Sequence, residues 1–143
     1  MARTPPLRGS AGIGATRYDP PMEAIADLNA IAIDCPDPRE LARFWGAVLG
    51  TGIAATLGDD HYIDLAPVSG VPILRFQRVA ERKSTKNRLH LDLDVGDLEV
   101  ASTRIEALGG RRVSERPLTE HGYTWIVMED PAGNEFCIGA TGA

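Results

Sequence analysis

Between Asn87 and Gly110 the chain reads NRLHLDLDVGDLEVASTRIEALGG, and its hydrophobic period changes partway through. From Arg88 to Asp94 apolar and polar residues alternate strictly. Leu89, Leu91 and Leu93 point one way; Arg88, His90, Asp92 and Asp94 point the other. That period of two predicts a strand over 88–95. Asp97 then starts a helix that carries Ile105 and Leu108 and stops at Gly109 and Gly110. A strand whose apolar face packs on a helix sends its other face to water or to a polar groove. His90 and Asp92 are therefore the first candidates for chemistry.

The same order of signals occurs earlier in the chain. Leu28 to Asp34 (LNAIAID) alternates as a strand, with Ile31 and Ile33 on one face and Ala30, Ala32 and Asp34 on the other. Asp37 is placed as an N-cap with Pro38 at the first helical position and Glu40 in the first turn. Leu41, Phe44, Trp45, Val48 and Leu49 follow at helical spacing until Gly50 and Gly52. Short strands are predicted at Ile53–Leu57, His61–Ala66 and Pro72–Val79 in this half, and at Arg111–Glu115, Tyr123–Glu129 and Asn134–Ile138 in the other. A shift of 60 residues lays Asp97 on Asp37 and His90 on Ala30. Both halves read β-α-β-β-β, a duplicated unit that needs its twin to bury its apolar face. Module one is placed at 27–79, module two at 87–139, and the polar run AERKSTKN (80–87) joins them.

At 143 residues the chain suits one domain, with about 68% of the unfolded surface buried on folding. Fifteen Lys and Arg against twenty Asp and Glu give a net charge of −5, with the acidic residues scattered. That balance argues against nucleic acid or an anionic membrane surface as a partner. Cys35 and Cys137 lie far apart and form no metal spacing. With no apolar run long enough to span a membrane and no secretory h-region, a cytoplasmic location is expected. Residues 1–22 are rich in Pro, Gly and small residues and are read as a flexible arm ahead of a domain at 23–143. Arg3, Arg8 and Arg17 against Asp19 make that arm basic enough to clasp its own acidic body or that of a sister subunit.

The segments IDCPDPRELARFWGAVLGTG (33–52), LRFQRV (74–79), KNRLHLDLDVGDLEVA (86–101) and EDPAGNEFCIG (129–139) resemble the vicinal oxygen chelate superfamily. The likeness is to its glyoxalase-like domain proteins of the glyoxalase, bleomycin resistance and dioxygenase type. The resemblance implies an α+β fold in which two β-α-β-β-β modules pair into an open U-shaped barrel with helices on the convex side. It also implies a groove for a small organic ligand, often with a divalent metal, and frequently a homodimer. The metal-ligand positions it implies fall on Ala30, Gln77, His90 and Cys137. Only His90 carries a usual ligand: Ala30 has no donor, Gln77 offers a neutral oxygen, and Cys137 stands where a glutamate is usual. Glu135, two residues earlier on the same face, is the alternative. Such a set is thin for any divalent ion, so no metal or other cofactor is expected.

By alternation the groove face holds Tyr62, Asp64, Arg75, Gln77, Arg88, His90, Asp92, Trp125, Val127, Glu135 and Cys137. Tyr62 and Trp125 take equivalent places and supply aromatic area, while the polar groups supply orientation. His90 is read either as a general acid or base steered by Asp92 or Glu135, or as part of a satisfied polar cluster. Cys137 is read as inert. Arg75 and Arg88 either pair with Glu135 and Asp92 or bind a ligand carboxylate. His61 and His121, beside turns, are expected to be exposed, and DPAGN (130–134) is expected to be a structural turn. The leading expectation is a small-molecule-binding protein, an isomerase or lyase if an enzyme, working without metal through His90. The rivals are a non-catalytic protein that sequesters a drug or metabolite, and a metal-dependent glyoxalase or dioxygenase.

Overall fold

The computed structural model describes residues 19–141. The arm's Arg3, Arg8 and Arg17 lie outside them, and residues 19–29 carry no regular structure and are exposed. Module one runs β1 (Ala30–Cys35), α1 (Pro38–Leu49), β2 (Ile53–Leu57), β3 (Tyr62–Leu65) and β4 (Ile73–Arg78). Module two runs β5 (Asp92–Asp94), α2 (Leu98–Ala107), β6 (Arg111–Arg112), β7 (Leu118–Glu120), β8 (Tyr123–Glu129) and β9 (Glu135–Thr141). The strands form two mixed sheets, ordered β1-β4-β3-β2 and β5-β9-β8-β6, with β7 paired to β8. In each sheet the first and last strands of the module run parallel, which the intervening helix makes possible, and neither sheet closes on itself. This is the expected open α+β architecture.

The helix starts are built as their residues dictate. The Asp37 carboxylate accepts from the backbone N–H groups of Arg39 (3.0 Å) and Glu40 (3.2 Å), with Pro38 next in the chain. Asp97 accepts from Val100 N–H at 2.9 Å. Gly50 closes α1 in the left-handed region at φ 70°, where a side chain would be strained. α1 buries Leu41, Phe44 and Trp45, and β3 and β4 bury Ile63, Leu65, Leu74 and Phe76. In module two Ile105 faces a core of Ile126, Met128, Phe136 and Ile138, and Ser102 Oγ lies 3.7 Å from Met128 Sδ. Every second residue of β3, β4 and β8 enters this core, so the residues between them line the opposite, concave face.

The two modules are joined by aromatic packing and one buried carboxylate. Trp45 and Phe44 of α1 meet Phe136 of β9 edge-on, with ring centroids 4.8 and 6.2 Å apart. Such a pair contributes about 1 kcal/mol beyond the area it buries. Trp45 Nε1 donates to Asp130 Oδ2 at 3.2 Å, and both residues are buried. Asp130 also accepts from the backbone N–H groups of Ala132 (2.9 Å) and Asn134 (3.0 Å) and from Asn134 Nδ2 (3.3 Å). Asn134 Nδ2 in turn reaches the Asp34 carbonyl of β1 at 3.3 Å. The DPAGN segment is thus the expected turn, and the turn is also the clamp between modules. Desolvation raises the Asp130 pKa against the pull of its hydrogen bonds, so those donors offset only part of the cost of burying the carboxylate.

The edges depart from the sequence reading. The strand expected over 88–95 narrows to Asp92–Asp94, preceded by a bend at Arg88 and Leu89. β5 is an edge strand with β9 on one side, and β9 begins at Glu135, whose carboxylate is taken by Asn87 N–H at 2.8 Å. Leu91 still accepts from Cys137 N–H at 2.9 Å, but the chain ahead of it turns across the end of β9. Leu91 and Leu93 still pack on the core, whereas Leu89 is 63% exposed. Arg111–Glu115 shortens to two residues, and β7 was not foreseen. Replacing Asp130 with Ala strands Trp45 Nε1 and the turn amides in a dry seam. We expect a loss of about 3 kcal/mol, read from urea unfolding followed by near-ultraviolet circular dichroism.

Candidate functional site

The concave face of module two is set by the register of three strands. Asp92 lies directly opposite Cys137, and Asp94 opposite Gly139; on the other side of β9, Val127 pairs with Cys137 and Trp125 with Gly139. His90 precedes β5 by two residues, and its Nδ1 is 2.8 Å from Asp92 Oδ1. With the Nδ1 proton directed at the carboxylate, Nε2 carries the free lone pair. The imidazole and the carboxylate are open to solvent, their side chains 44% and 63% exposed. Cys137 is half-buried, and its thiol pKa is raised by burial and by the neighbouring Asp92, a setting that disfavours a thiolate nucleophile. Cys35 is buried with its pKa pushed up to about 12 by desolvation and by nearby carboxylates, and its Sγ contacts the Gln77 carbonyl.

Tyr123, a residue that the sequence reading left out of the groove, crosses this face. A Cβ built on Gly139 would lie 1.7 Å from the Tyr123 hydroxyl, so the ring rests on the bare backbone of β9. It stacks on Trp125 at 6.1 Å and 21° between planes. Its phenol pKa is raised by desolvation and by Asp94, Asp92 and Cys137, which keeps it a hydrogen-bond donor. The signal for it was present in the alternation of YTWIVM, where Tyr123 shares a face with Trp125, but only the diagonal reach across Gly139 carries it to the cluster.

Module one presents a different set. Arg75 donates from Nε and a terminal nitrogen to the two oxygens of Asp64 at 2.7 and 2.8 Å, across directly paired positions. Arg75 therefore pairs with Asp64, and neither of the two roles foreseen for it is the one observed. The Asp64 pKa is lowered by that guanidinium. Glu135 is likewise engaged, by Asn87 N–H and by Lys83 at 3.2 Å. Desolvation works against its charge, but these donors hold its pKa below the ordinary value. It anchors the linker, so it is not the steering partner of His90. Tyr62, Asp64 and Arg75 line a pocket of about 470 Å³ with Ala55, Thr56 and Leu57. His90 lines a separate cleft of about 490 Å³ with Ala30, Ala32 and Glu135. The groove residues expected together thus fall in two places. His61, expected to be exposed, is half-buried with its ring edge-on to Tyr62 at 4.6 Å, while His121 is exposed as expected.

Register also revises the correspondence between modules. Tyr62 pairs with Gln77 and Trp125 with Gly139, so Tyr62 and Trp125 are equivalent. Asp92 lies opposite Cys137, and its counterpart Ala32 lies opposite Arg75. The module-one residue matching Cys137 is therefore Arg75, not Gln77. The two module-one metal positions then hold an alanine and a guanidinium, one without a donor and one repelling a cation. The four-position metal site does not fit this chain.

Paired β-α-β-β-β modules with open mixed sheets define the vicinal oxygen chelate class. The glyoxalase-like domain model matches residues 30–139, and the chain belongs to that family. No curated protein matches the chain. Solved structures show the same fold. A glyoxalase/bleomycin resistance protein/dioxygenase from Nocardioides is 14% identical, with a TM-score of 0.66 over 85% of this chain and 87% of that one. A glyoxalase/bleomycin resistance protein/dioxygenase family enzyme from Burkholderia phytofirmans PsJN is 20% identical, with a TM-score of 0.63 over 81% and 99%. A glyoxalase-related enzyme from Fulvimarina pelagi is 18% identical, with a TM-score of 0.61 over 80% and 88%.

Two outcomes follow for this face. A Gly139→Ala substitution forces Tyr123 off β9, and the near-ultraviolet circular dichroism of the Tyr123–Trp125 stack should be lost while the far-ultraviolet signal stays. A carboxylate whose pKa is lowered by folding stabilises fully above its unfolded pKa and ceases to do so as pH falls through the lowered value. Arg75→Met should therefore be less stable than the parent at neutral pH, and the two unfolding midpoints should converge in acid below the carboxylate range.

Proposed function

We propose that this glyoxalase-like domain binds a small organic ligand on the concave face of module two, with His90 as the general base. What carries the reading is the His90–Asp92 pair, whose Asp92 lies close enough to the stacked Tyr123 and Trp125 rings to act on the Tyr123 phenol. A carboxylate on Nδ1 orients the imidazole and leaves Nε2 to take a proton from carbon or oxygen of a bound molecule. The rings offer flat apolar area, and the protonated Tyr123 hydroxyl offers a donor for a ligand oxygen in which charge builds up. Proton abstraction next to a carbonyl, followed by isomerisation or elimination, is the reaction type these groups serve, and it needs no metal. Among the described residues no helix is long and apolar enough to cross a membrane.

A thermal-shift screen of α-hydroxy carbonyl compounds and aromatic carboxylates, run on chelator-treated protein, tests the reading. A compound that raises the melting temperature of the parent should bind about tenfold more weakly to His90→Ala and to Trp125→Ala. Equal binding by both variants would refute the site. Proton–deuterium exchange at the α-carbon of the hit then separates function classes: exchange that His90→Ala abolishes marks an enzyme, and tight binding without exchange marks a sequestering protein.

A further inference from the structure

β1 is an edge strand, paired with β4 alone. Ile73 N–H donates to the Asn29 carbonyl (3.4 Å) and Val79 N–H to the Cys35 carbonyl (3.0 Å). In this parallel ladder Ile31, Ile33 and Cys35 therefore turn their backbone groups to β4, and Ala30, Ala32 and Asp34 turn theirs outward. Asn134 takes the Asp34 carbonyl and closes that end of the edge. Among the described residues no backbone bond reaches the outward groups of Ala30 or Ala32. The edge is one wall of the cleft of about 490 Å³; residues 87–91 are the other, and the buried Trp45 and Phe136 also line it. Ile31 and Ile33, which alternation turns toward the core, are only half-buried, and Leu28 and Leu89, one on each wall, are 71% and 63% exposed. Unpaired backbone, small side chains and exposed apolar residues in one slot fit an added strand.

We propose that this slot is a docking site for the chain's own N-terminal arm, residues 12–17 (GIGATR) adding to β1 as an antiparallel strand with Gly14 opposite Ala32. In that register the backbone groups of Gly14 and Ala32 exchange both hydrogen bonds, as do those of Thr16 and Ala30. Ile13 and Ala15 then lie opposite Ile33 and Ile31 on the apolar side, while Gly12 and Gly14 let the backbone come close where the walls are narrow. Chain length and charge favour this occupant. The eleven residues 19–29, exposed and without regular structure, lead straight into β1 and carry Pro20 and Pro21, enough chain to reverse direction. Residues 1–18 hold three arginines and no acidic residue, against a body with twelve Lys and Arg and twenty Asp and Glu, and Asp34 at the edge is exposed. Docked there, the arm covers part of the cleft that His90 lines. The inference uses only the edge of β1 and stands apart from the ligand reading above.

Amide hydrogen exchange of the full chain, followed residue by residue by nuclear magnetic resonance, is the test. An open edge leaves the Ala30 and Ala32 amides to water; a docked arm should slow the Ala32 amide about a hundredfold or more below its unprotected rate. Gly14→Pro removes one donor of the Gly14–Ala32 pair, and Ile13→Asp sets a charge against Ile33; each should return Ala32 to within about tenfold of the unprotected rate. The Ile31 and Ile33 amides, bonded to β4, should stay slow in both variants, which shows that the fold is intact. Fast exchange at Ala32 in the unmutated chain overturns the proposal, as does protection that neither variant reduces. Protection that fades on dilution while Ile31 and Ile33 stay slow also overturns it, since the strand then comes from a second copy. No ligand enters the measurement, so its outcome and that of the ligand screen are independent.

Discussion

The seam between the modules depends on a carboxylate buried where water cannot help it. Asp130 is 3% exposed and answers its desolvation with four donors, one of which, Trp45 Nε1, comes from the other module. The bond fixes the angle at which α1 lies on β9 and so seats Phe44 and Trp45 on Phe136. The same turn launches β9, and the start of β9 determines where β5 can pair. Position of the clamp, register of the sheet and placement of Asp92 opposite Cys137 are consequences of one another.

The concave face shows how a duplicated fold becomes asymmetric. Both modules keep the ladder that places Tyr62 and Trp125 alike. Module one then neutralises its own face, since Arg75 and Asp64 satisfy each other in a two-pronged pair. Module two keeps its His90–Asp92 pair open to solvent beside Cys137, and Gly139 removes a side chain so that Tyr123 rests on the β9 backbone. The two halves therefore differ in what their facing polar groups leave open to solvent, the Arg75–Asp64 pair being less exposed than the His90–Asp92 pair.

Most of the fold was legible in the sequence. Helix caps, glycine stops and alternation are local, and Asp37, Asp97, Gly50 and the Ile63/Leu65 and Ile126/Met128 pairs act as their neighbours dictate. The site was legible in part. His90, Asp92 and Cys137 were singled out by face and by resemblance, and they do meet. The partners of Arg75 and Glu135 and the lean of Tyr123 were missed: Arg75 pairs straight across the ladder with Asp64, Glu135 turns to the linker and Tyr123 crosses diagonally to Gly139, and period-two alternation does not say which neighbour a side chain takes.

The sequence by itself determined the two modules, their helices, the buried face of each strand and the turn at 130–134, since these follow from residue type and spacing within a few residues. Only the tertiary structure decided the register of β9 against β5, which makes Arg75 the counterpart of Cys137. It also decided the taking of Glu135 by the linker and the joining of the modules through Trp45 and Asp130. Those depend on contacts between residues 45 to 85 positions apart, whose cost in chain entropy is repaid only when the whole core closes at once.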